Sequence, residues 1–472
     1  MLRRFVISLC ISTILLSCSE ASFQPPALLT ESELSDISKL RDAALKSNLG
    51  YEILESLTTE VGARMAGTPQ DTEGVNWAMA KFEELGFDKV WKEPVTFNTW
   101  VRGVETAEIV SPYPQVLHIT ALGGSVGTVE GGIIAPLVHY KTLDDLKAAK
   151  ESDVKGKIVF VSNKMERTKT GKGYGKAVVV RRDGAVEASK KGAAAILIRS
   201  IGTDSHRMPH TGMMRYSDEV AKIPAAALSN PDADQLERIL NRTADISIKL
   251  NMGAQAGPEF TSYNVIGEIT GTEAAEEVII MGGHLDSWDM GTGAVDDGAG
   301  VGITMAAAKL IKDNGIKHRR TIRVILWAAE EQGLIGAFAY AKAHEKDIDN
   351  HILGAESDFG AGKIYEFSSL VTDADVPFIA QMEMLFAPLG IKRGSNNASP
   401  GPDLIPLYQV GMPVFRLQQD GTDYFDLHHT HDDTIDKVDP KAVSQNVAAY
   451  VVYSLATAQY QGGLKRPVKE IK

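Results

Sequence analysis

The segment spanning residues 278–300 crowds acidic side chains onto a glycine-rich loop. An apolar run ends at His284, and the loop that follows contains four aspartates: Asp286, Asp289, Asp296 and Asp297. Carboxylates placed so close repel one another unless a cation lies among them. Glycine allows the backbone to fold tightly around such a cation. The pattern predicts a cation-binding loop at the end of a buried strand.

Further polar groups follow strand-like runs in the same half of the chain. These candidate ligands are Glu330 and Glu331 after "VILWAA", Glu356 and Asp358 in "ILGAESD", and His428, His429 and His431 in "DLHHTHDDT". Together with His284 and Asp296 they offer imidazole and carboxylate ligands without sulfur, a set that suits zinc and, less specifically, manganese or cobalt. We therefore predict two divalent ions about 3.5–4 Å apart, bridged by one carboxylate.

The surrounding elements indicate the fold that positions these residues. The runs "EVIIMGG", "GVGITMAAAKLIKDN" and "TIRVILWAA" read as strand, helix and strand, which predicts an α/β fold with a doubly wound mixed sheet. Sites in such sheets gather beyond the carboxyl ends of the strands. Helical spacing also begins near residue 36, and we assign residues 36–104 and 256–472 to this catalytic domain.

Residues 105–255 have a different character, with short β-rich runs such as "GKIVFVSN", Gly-rich turns and few helices. We predict a separate inserted module here, and its pattern resembles the protease-associated domain, a small β-rich insert of several peptidases. The module carries His206 and His210, but no carboxylates spaced as partner ligands. Both are predicted to be loop histidines without metal.

The N-terminal residues indicate export. Arg3 and Arg4 precede "FVISLCISTILLSC", an apolar run too short to span a bilayer as a mature helix, which predicts a signal peptide over residues 1–17. "LLSC" resembles the lipobox of bacterial lipoproteins, so we expect a lipid on Cys18, a tether over 18–35 and a location in the bacterial periplasm or cell envelope. A plain secretory signal is the alternative.

Composition narrows the function further. Cys10 and Cys18 are the only cysteines, so the exported protein has no thiol free for catalysis or metal binding. The formal net charge is −12, which argues against nucleic acid as a partner. It also argues against a polybasic membrane-binding surface, leaving the lipid as the expected membrane contact.

Four motifs together resemble a known family. "GGHLDSWDMGTGAVDDGAG", "WAAEEQG", "ESDFG" and "HHTHDDT" are similar to the motifs of the co-catalytic zinc peptidases, which include bacterial aminopeptidases and glutamate carboxypeptidases. The carboxypeptidase Q group within that family is favoured by the residues of "HLDSWD" and "HHTHDDT", by the "GARMAGTP" loop and by the inserted module.

The resemblance implies a role for each candidate residue. One of two zinc ions would be held by His284 and Asp358, the other by Glu331 and His429, with Asp296 bridging both. Glu330 would be the general base, and Asp286 would orient the imidazole of His284. Asp297 remains an alternative bridge, and His428 and His431 remain alternatives to His429. A tyrosine of glutamate carboxypeptidases that helps to hold the oxyanion is replaced here by His428, for which we hypothesise a similar role.

The resemblance also implies an activity. We expect a zinc exopeptidase that forms a homodimer and hydrolyses small unblocked peptides, chiefly dipeptides. A broader N-terminal aminopeptidase acting on longer peptides is one alternative. A catalytically inactive, receptor-like binding protein is a second, and a single-zinc cyclotransferase is a third.

Overall fold

The computed structural model describes residues 26–466; the predicted signal peptide and Cys18 lie outside this range. The strands are β1 Lys89–Val101, β2 Glu105–Ser111, β3 Gln115–Leu117, β4 Ile119–Ala121, β5 Ile133–Tyr140, β6 Ile158–Val161, β7 Ala195–Arg199, β8 Ala225–Leu228, β9 Ser247–Met252, β10 Gln255–Ile269, β11 Ala274–His284, β12 Arg320–Trp327, β13 His351–Glu356, β14 Ile364–Ser368, β15 Lys392–Arg393 and β16 Arg416–Gln419. The helices are α1 Glu31–Ala44, α2 Leu49–Glu60, α3 Pro69–Glu84, α4 Leu143–Ala148, α5 Glu151–Val154, α6 Lys172–Ser189, α7 Asn230–Leu240, α8 Ala299–Asp313, α9 Ile335–Ala343, α10 Val376–Phe386, α11 Ile405–Val410, α12 Tyr424–Leu427 and α13 Pro440–Gln459.

A five-stranded mixed sheet with the order β1-β10-β12-β11-β13 forms the centre of the catalytic domain. Successive residues of β11 point to opposite faces, as strand geometry requires. Ile279 and Met281 pack into the core that contains α8 and α13. Val278 and Ile280 pack into a second core with α9 and α11. Helices therefore cover both faces, and the predicted α/β fold with a mixed sheet is confirmed.

Three parallel strands bring the predicted site residues to one edge of this sheet. Strand β11 runs parallel to both β12 and β13, with His284 opposite Trp327 and Gly282 opposite Glu356. Each strand ends at or just before a predicted site residue. Because parallel strands end at the same edge, the three loops that follow them converge there.

The inserted segment forms a second sheet of eight strands, in the order β3-β2-β9-β5-β6-β7-β8-β4. It leaves the catalytic domain between β1 and β10, which pair antiparallel with each other. The prediction of few helices was wrong, since α6 has 18 residues and α7 has 11. Helix α6 contains glycines and a Val-Val-Val run, both poor helix formers, so helix propensity does not predict it. Its buried residues Ala177, Val180, Gly184 and Ala188 nevertheless have helical spacing.

The N-terminal helix begins earlier than predicted. Thr30 caps α1 through a capping box with Glu33, and the helix starts at Glu31. Leu29 is buried, and α1 packs against α13. The predicted tether is therefore wrong for residues 31–35, because a local cap and burial against the catalytic domain order them. Among residues 26–466, no helix is long and apolar enough to cross a membrane.

Candidate active site

The five predicted metal ligands converge where β11, β12 and β13 end. His284 is the last residue of β11, Glu331 follows β12, and Asp358 follows β13. Asp296 lies in the loop between β11 and α8, and His429 follows α12. All five side chains are less than a tenth exposed.

Asp296 lies between two groups of donors. Its Oδ1 is 3.0 Å from His284 Nε2, which is in turn 3.9 Å from Asp358 Oδ1. Its Oδ2 is 3.2 Å from His429 Nε2, which is 2.9 Å from Glu331 Oε2. The two oxygens of one carboxylate thus face two different histidines, which is the arrangement needed for a bridging ligand.

The donors of this cluster fit metal ions. The ligand atoms of His284, Asp296 and Asp358 all lie within 4.8 Å of one another, and so do those of a second group, Asp296, His428 and His429. Asp296 Oδ2 and Glu331 Oε1 are buried without a hydrogen-bond partner among the described residues, although buried carboxylate oxygens normally have one. Imidazole nitrogens and carboxylate oxygens are the ligands of zinc.

Burial without a cation makes these carboxylates hard to ionise. Burial raises the pKa of Glu330 well above its ordinary value, and the nearby carboxylates of Asp358 and Glu331 raise it further. Burial likewise raises the pKa of Asp358 to about 7. Burial lowers the pKa of His429, but Glu331 and Asp296 outweigh this effect and bring it to about 9. Divalent ions would reverse these effects by stabilising the ionised carboxylates and the neutral imidazoles.

Asp286 acts mainly on the loop after β12. His284 Nδ1 lies 2.9 Å from the main-chain oxygen of Asp286, whereas the Asp286 carboxylate is 3.7 Å away. That carboxylate accepts hydrogen bonds from the main-chain N–H groups of Glu330 and Glu331, at 3.0 and 3.3 Å. The contact that orients the imidazole is therefore the main-chain carbonyl, and the side chain positions the two glutamates.

The alternative ligands differ in their positions. Asp297 accepts main-chain hydrogen bonds from His284 and Gly300, both at 3.1 Å, so each of its oxygens already has a partner. His431 is not part of either candidate metal group in the described chain. His428 lies close to the predicted ligands. Its ring stacks on that of His429, with 3.5 Å between the ring centroids, and its Nε2 is 3.6 Å from Asp296 Oδ2.

Trp288 is a site residue to which the sequence analysis gave no role. Its Nε1 donates a hydrogen bond to Glu331 Oε2 at 2.6 Å. The indole ring also lies beside His429, with 5.8 Å between the ring centroids. Its position inside the "HLDSWD" motif was the feature of the sequence that could have identified it as a site residue.

The inserted module supports the two late histidines from outside the catalytic domain. Thr211 N donates to the main-chain oxygen of His429 at 3.1 Å. His210 Nδ1 is 2.6 Å from the main-chain oxygen of His428, and its Nε2 is 2.8 Å from Asp204 Oδ1. Neither His206 nor His210 belongs to a candidate metal group among residues 26–466. His210 is thus a buried support of the site.

A cavity of about 460 Å³ adjoins the cluster. The catalytic domain lines it with Glu330, Glu356 and Arg416, among others, and the inserted module contributes Tyr174 and Arg181 from α6. The cavity therefore opens between the catalytic domain and the inserted module, where a ligand would contact both.

Comparisons with known proteins agree with this architecture. Residues 264–454 match the family model of peptidase family M28, and residues 133–236 match that of the PA domain. Human (Homo sapiens) carboxypeptidase Q is 36% identical over 419 residues, covering 89% of this chain and 87% of that protein.

Two solved structures are also similar. The crystal structure of a peptidase M28 precursor from Shewanella amazonensis has a TM-score of 0.91 and 50% identity, covering 93% of this chain and 99% of that one. The zinc aminopeptidase BSAP from Bacillus subtilis has a TM-score of 0.60 at 20% identity, covering 88% of this chain and 98% of that one, and it shares the fold. The predicted PA domain and family resemblance are confirmed. The chain belongs to peptidase family M28 and is a metallopeptidase related to carboxypeptidase Q.

Proposed function

We propose that this protein is a dizinc exopeptidase that hydrolyses small unblocked peptides, chiefly dipeptides. The observation that carries the proposal is the position of Asp296, whose two carboxylate oxygens face His284 and His429 separately. A single ion would use only one of these faces. Membership of peptidase family M28 and the 36% identity to carboxypeptidase Q support a zinc exopeptidase.

The ligands divide into two sets around this carboxylate. His284 and Asp358 would hold one zinc ion, Glu331 and His429 the other, and Asp296 would contact both. When bound, such a pair of ions polarises the peptide carbonyl and lowers the pKa of a water molecule between them. Trp288 and Asp286 keep Glu331 in place through the hydrogen bonds described above.

Glu330 is the proposed general base. It lines the cavity beside the metal ligands, and its main-chain N–H is fixed by Asp286 at 3.0 Å. It is adjacent to Glu331, so that one carboxylate can bind metal while its neighbour faces the water. Glu330 takes a proton from the water that attacks the peptide carbonyl and delivers that proton to the leaving nitrogen.

The size and charge of the cavity favour short substrates. Its volume of about 460 Å³ lies in the lower half of the range of roughly 300–1,000 Å³ typical of small-molecule sites. Arg181 lines the cavity and is 8% exposed. In the described chain its hydrogen bonds go to Thr211, His429 and Tyr174 and not to a carboxylate. A buried cation of this kind suits the free carboxylate of a dipeptide.

Export and assembly remain part of the proposal. The signal-like N-terminal sequence and "LLSC" support export to the bacterial cell envelope with a lipid on Cys18. The proposal of a homodimer rests only on the resemblance to the carboxypeptidase Q group. Metabolic labelling of wild type and Cys18→Ala with a fatty acid tests the lipid. Sedimentation velocity of the purified protein tests the dimer.

A panel of substrates tests the activity. Purified enzyme is given dipeptides, N-acylated dipeptides and longer peptides, before chelation, after chelation and after zinc is restored. Glu330→Gln is run beside wild type, with Glu276→Gln, an exposed glutamate of β11, as the matched control. We expect zinc-dependent dipeptide hydrolysis that falls by about 10²–10⁴ in Glu330→Gln and persists in the control.

Three results contradict parts of this proposal. Chelator-resistant hydrolysis or full activity of Glu330→Gln would contradict the mechanism. One zinc per chain in elemental analysis of the active enzyme would contradict the dizinc site. If long peptides and dipeptides were cleaved equally well, the protein would be a broader aminopeptidase and not a dipeptidase.

A further inference from the structure

We propose that His210 of the PA domain is a positioning residue for the zinc site of Glu331 and His429. It holds the peptide bond between His428 and His429 in the orientation that directs the imidazole of His429 to the metal. This inference rests on the proposed dizinc function, because it concerns how one of the two sites keeps its shape. It makes the inserted module a part of the metal centre.

His429 occupies a turn position that normally requires glycine. The N–H of Thr430 donates to the main-chain oxygen of Leu427 at 3.1 Å and closes a four-residue turn. The φ and ψ angles of His428 are −45° and 120°, and the φ angle of His429 is 64°. These are angles of a type II turn, whose third residue lies in the left-handed region that favours glycine. A histidine ligand at this position therefore needs support from outside the turn.

His210 binds the group that distinguishes this turn from an unstrained alternative. A type I turn differs from a type II turn by rotation of the central peptide, and it gives the third residue a negative φ angle. The oxygen of the central peptide is the main-chain oxygen of His428, which lies 2.6 Å from His210 Nδ1. A carbonyl oxygen can only accept, so Nδ1 carries the proton and donates it. Rotation to the type I arrangement would break this hydrogen bond.

His210 is itself fixed within the PA domain. Its side chain is fully buried, and its Nε2 lies 2.8 Å from Asp204 Oδ1. The same carboxylate oxygen accepts a hydrogen bond from Asn230 Nδ2 at 2.9 Å. An added Cβ at Gly202 would lie 2.2 Å from His210 Nε2, so the ring has no free space on that side. A donor held in this way can keep the turn in one arrangement.

Thr211, the next residue of the module, fixes the ring of His429. His429 Nδ1 lies 3.2 Å from the main-chain oxygen of Thr211. Arg181 Nη1, 3.4 Å from His429 Nδ1, also donates to this oxygen, at 3.3 Å. With its proton on Nδ1, the ring keeps the lone pair of Nε2 for a metal ion, as metal-bound histidines do. Residues 210 and 211 thus set both the backbone and the tautomer of one ligand.

Two amide substitutions at His210 separate the roles of its two ring nitrogens. The amide nitrogen of asparagine can take the place of Nδ1, whereas that of glutamine can take the place of Nε2. His210→Gln therefore loses the donor to His428 and should lower the affinity for zinc at His429 by about 10- to 100-fold. His210→Asn keeps this donor and should bind zinc within about 3-fold of wild type. Stepwise competition with a chromogenic chelator measures both zinc affinities without turnover.

A double-mutant cycle shows whether the effect passes through His429. In a His429→Ala background, His210→Gln should change the affinity for the remaining ion by no more than about 2-fold, because the turn then carries no ligand. Gly202→Ala displaces the His210 ring by a different route and should weaken the same site as His210→Gln. His206→Gln is the control, since it removes an exposed histidine of the same segment, and it should leave both affinities unchanged.

Unchanged zinc affinities in His210→Gln and Gly202→Ala would overturn the inference. Equal losses in His210→Gln and His210→Asn would also overturn it, because they would show that only the packing of the ring matters. Thermal melting of each variant identifies a folding defect, and Gly202→Ala decides the question if His210→Gln does not fold. The proposed function fails separately, when wild type binds a single zinc ion or hydrolyses no dipeptide.

Discussion

The carboxylate of Asp433 accepts hydrogen bonds from the main-chain N–H groups of Asp296 and of the preceding Val295, at 3.2 and 2.6 Å. A residue near the C-terminus thus fixes the backbone that carries the proposed bridging ligand. Arg64 holds the same loop from its other side, donating to the main-chain oxygens of Thr292 at 2.7 Å and Gly293 at 3.0 Å. The metal loop therefore depends on groups that contact no metal ligand atom.

Asp433→Asn should weaken zinc binding. An asparagine can replace only one of the two acceptor oxygens, so one N–H of the loop would lose its partner. Loss of such outer support typically lowers metal affinity by about 10- to 100-fold. Competition with a chromogenic chelator measures the affinity, with Asp432→Asn, the adjacent residue that contacts neither N–H, as the control. Unchanged zinc affinity in Asp433→Asn would show that the loop holds its shape without this support.

Arg181→Met should impair recognition of the substrate carboxylate. Arg181 comes from the PA domain, and its Nε is buried without a hydrogen-bond partner in the described chain. We expect KM for dipeptides to rise by about 10-fold or more, the value of one charge-assisted hydrogen bond, with little change for dipeptide amides. Steady-state kinetics on both substrate series gives the comparison. The control, Arg182→Met, removes an exposed neighbour that pairs with Asp183 and should leave the kinetics of both series unchanged. If Arg181→Met raised KM equally for dipeptides and dipeptide amides, Arg181 would not recognise the substrate carboxylate.

His428→Ala tests whether this residue stabilises the oxyanion. His428 lines the cavity, and burial together with the charge of His429 lowers its pKa well below the ordinary value, so it is neutral near pH 7. A neutral imidazole can donate a hydrogen bond to a carbonyl oxygen. We expect kcat to fall by about 10²–10³ while zinc content stays the same. Unchanged turnover would remove the role, and loss of zinc would make His428 a ligand; His431→Ala is the control.

The sequence predicted the central sheet and the convergence of the site because both depend on local patterns. Apolar runs ending in His284, Glu331 and Asp358 mark strands, and parallel strands must end together. The choice of Asp296 over Asp297 required the family resemblance, and the structure gives a physical reason for it. Both oxygens of Asp297 are occupied by main-chain N–H groups, which neighbouring residues in a sequence do not reveal.

Other features were hidden because they depend on long-range contacts. Helix α6 contains many poor helix formers and is stabilised by burial on the second sheet. Its low helix propensity therefore led to the wrong prediction of few helices. Arg181 and His210 reach the site only because the inserted module folds back over it. The early start of α1 could have been predicted, since Thr30 and Glu33 are a recognisable capping box.

His351 provides a test of stability that does not depend on the site. It is buried, its Nδ1 lies 3.1 Å from the main-chain oxygen of Asp347, and its Nε2 lies 3.0 Å from Tyr340 Oη. Burial, and then the charge of Arg323, lower its pKa from 6.5 to about 4. The folded protein therefore binds fewer protons here than the unfolded chain between these values. The stability that this neutral histidine contributes is present above about pH 6.5 and is lost as the pH falls towards 4.

His351→Gln should reduce the acid sensitivity of folding. Between pH 7 and pH 5, proton uptake by His351 on unfolding should account for about 2 kcal/mol of the fall in unfolding free energy. Urea denaturation of both proteins at the two pH values measures it, and effects of metal release common to both proteins cancel in the difference. We expect a smaller fall in the variant, even if its stability at pH 7 is lower because Tyr340 Oη loses a partner. Equal falls would show that His351 titrates alike in the folded and unfolded states.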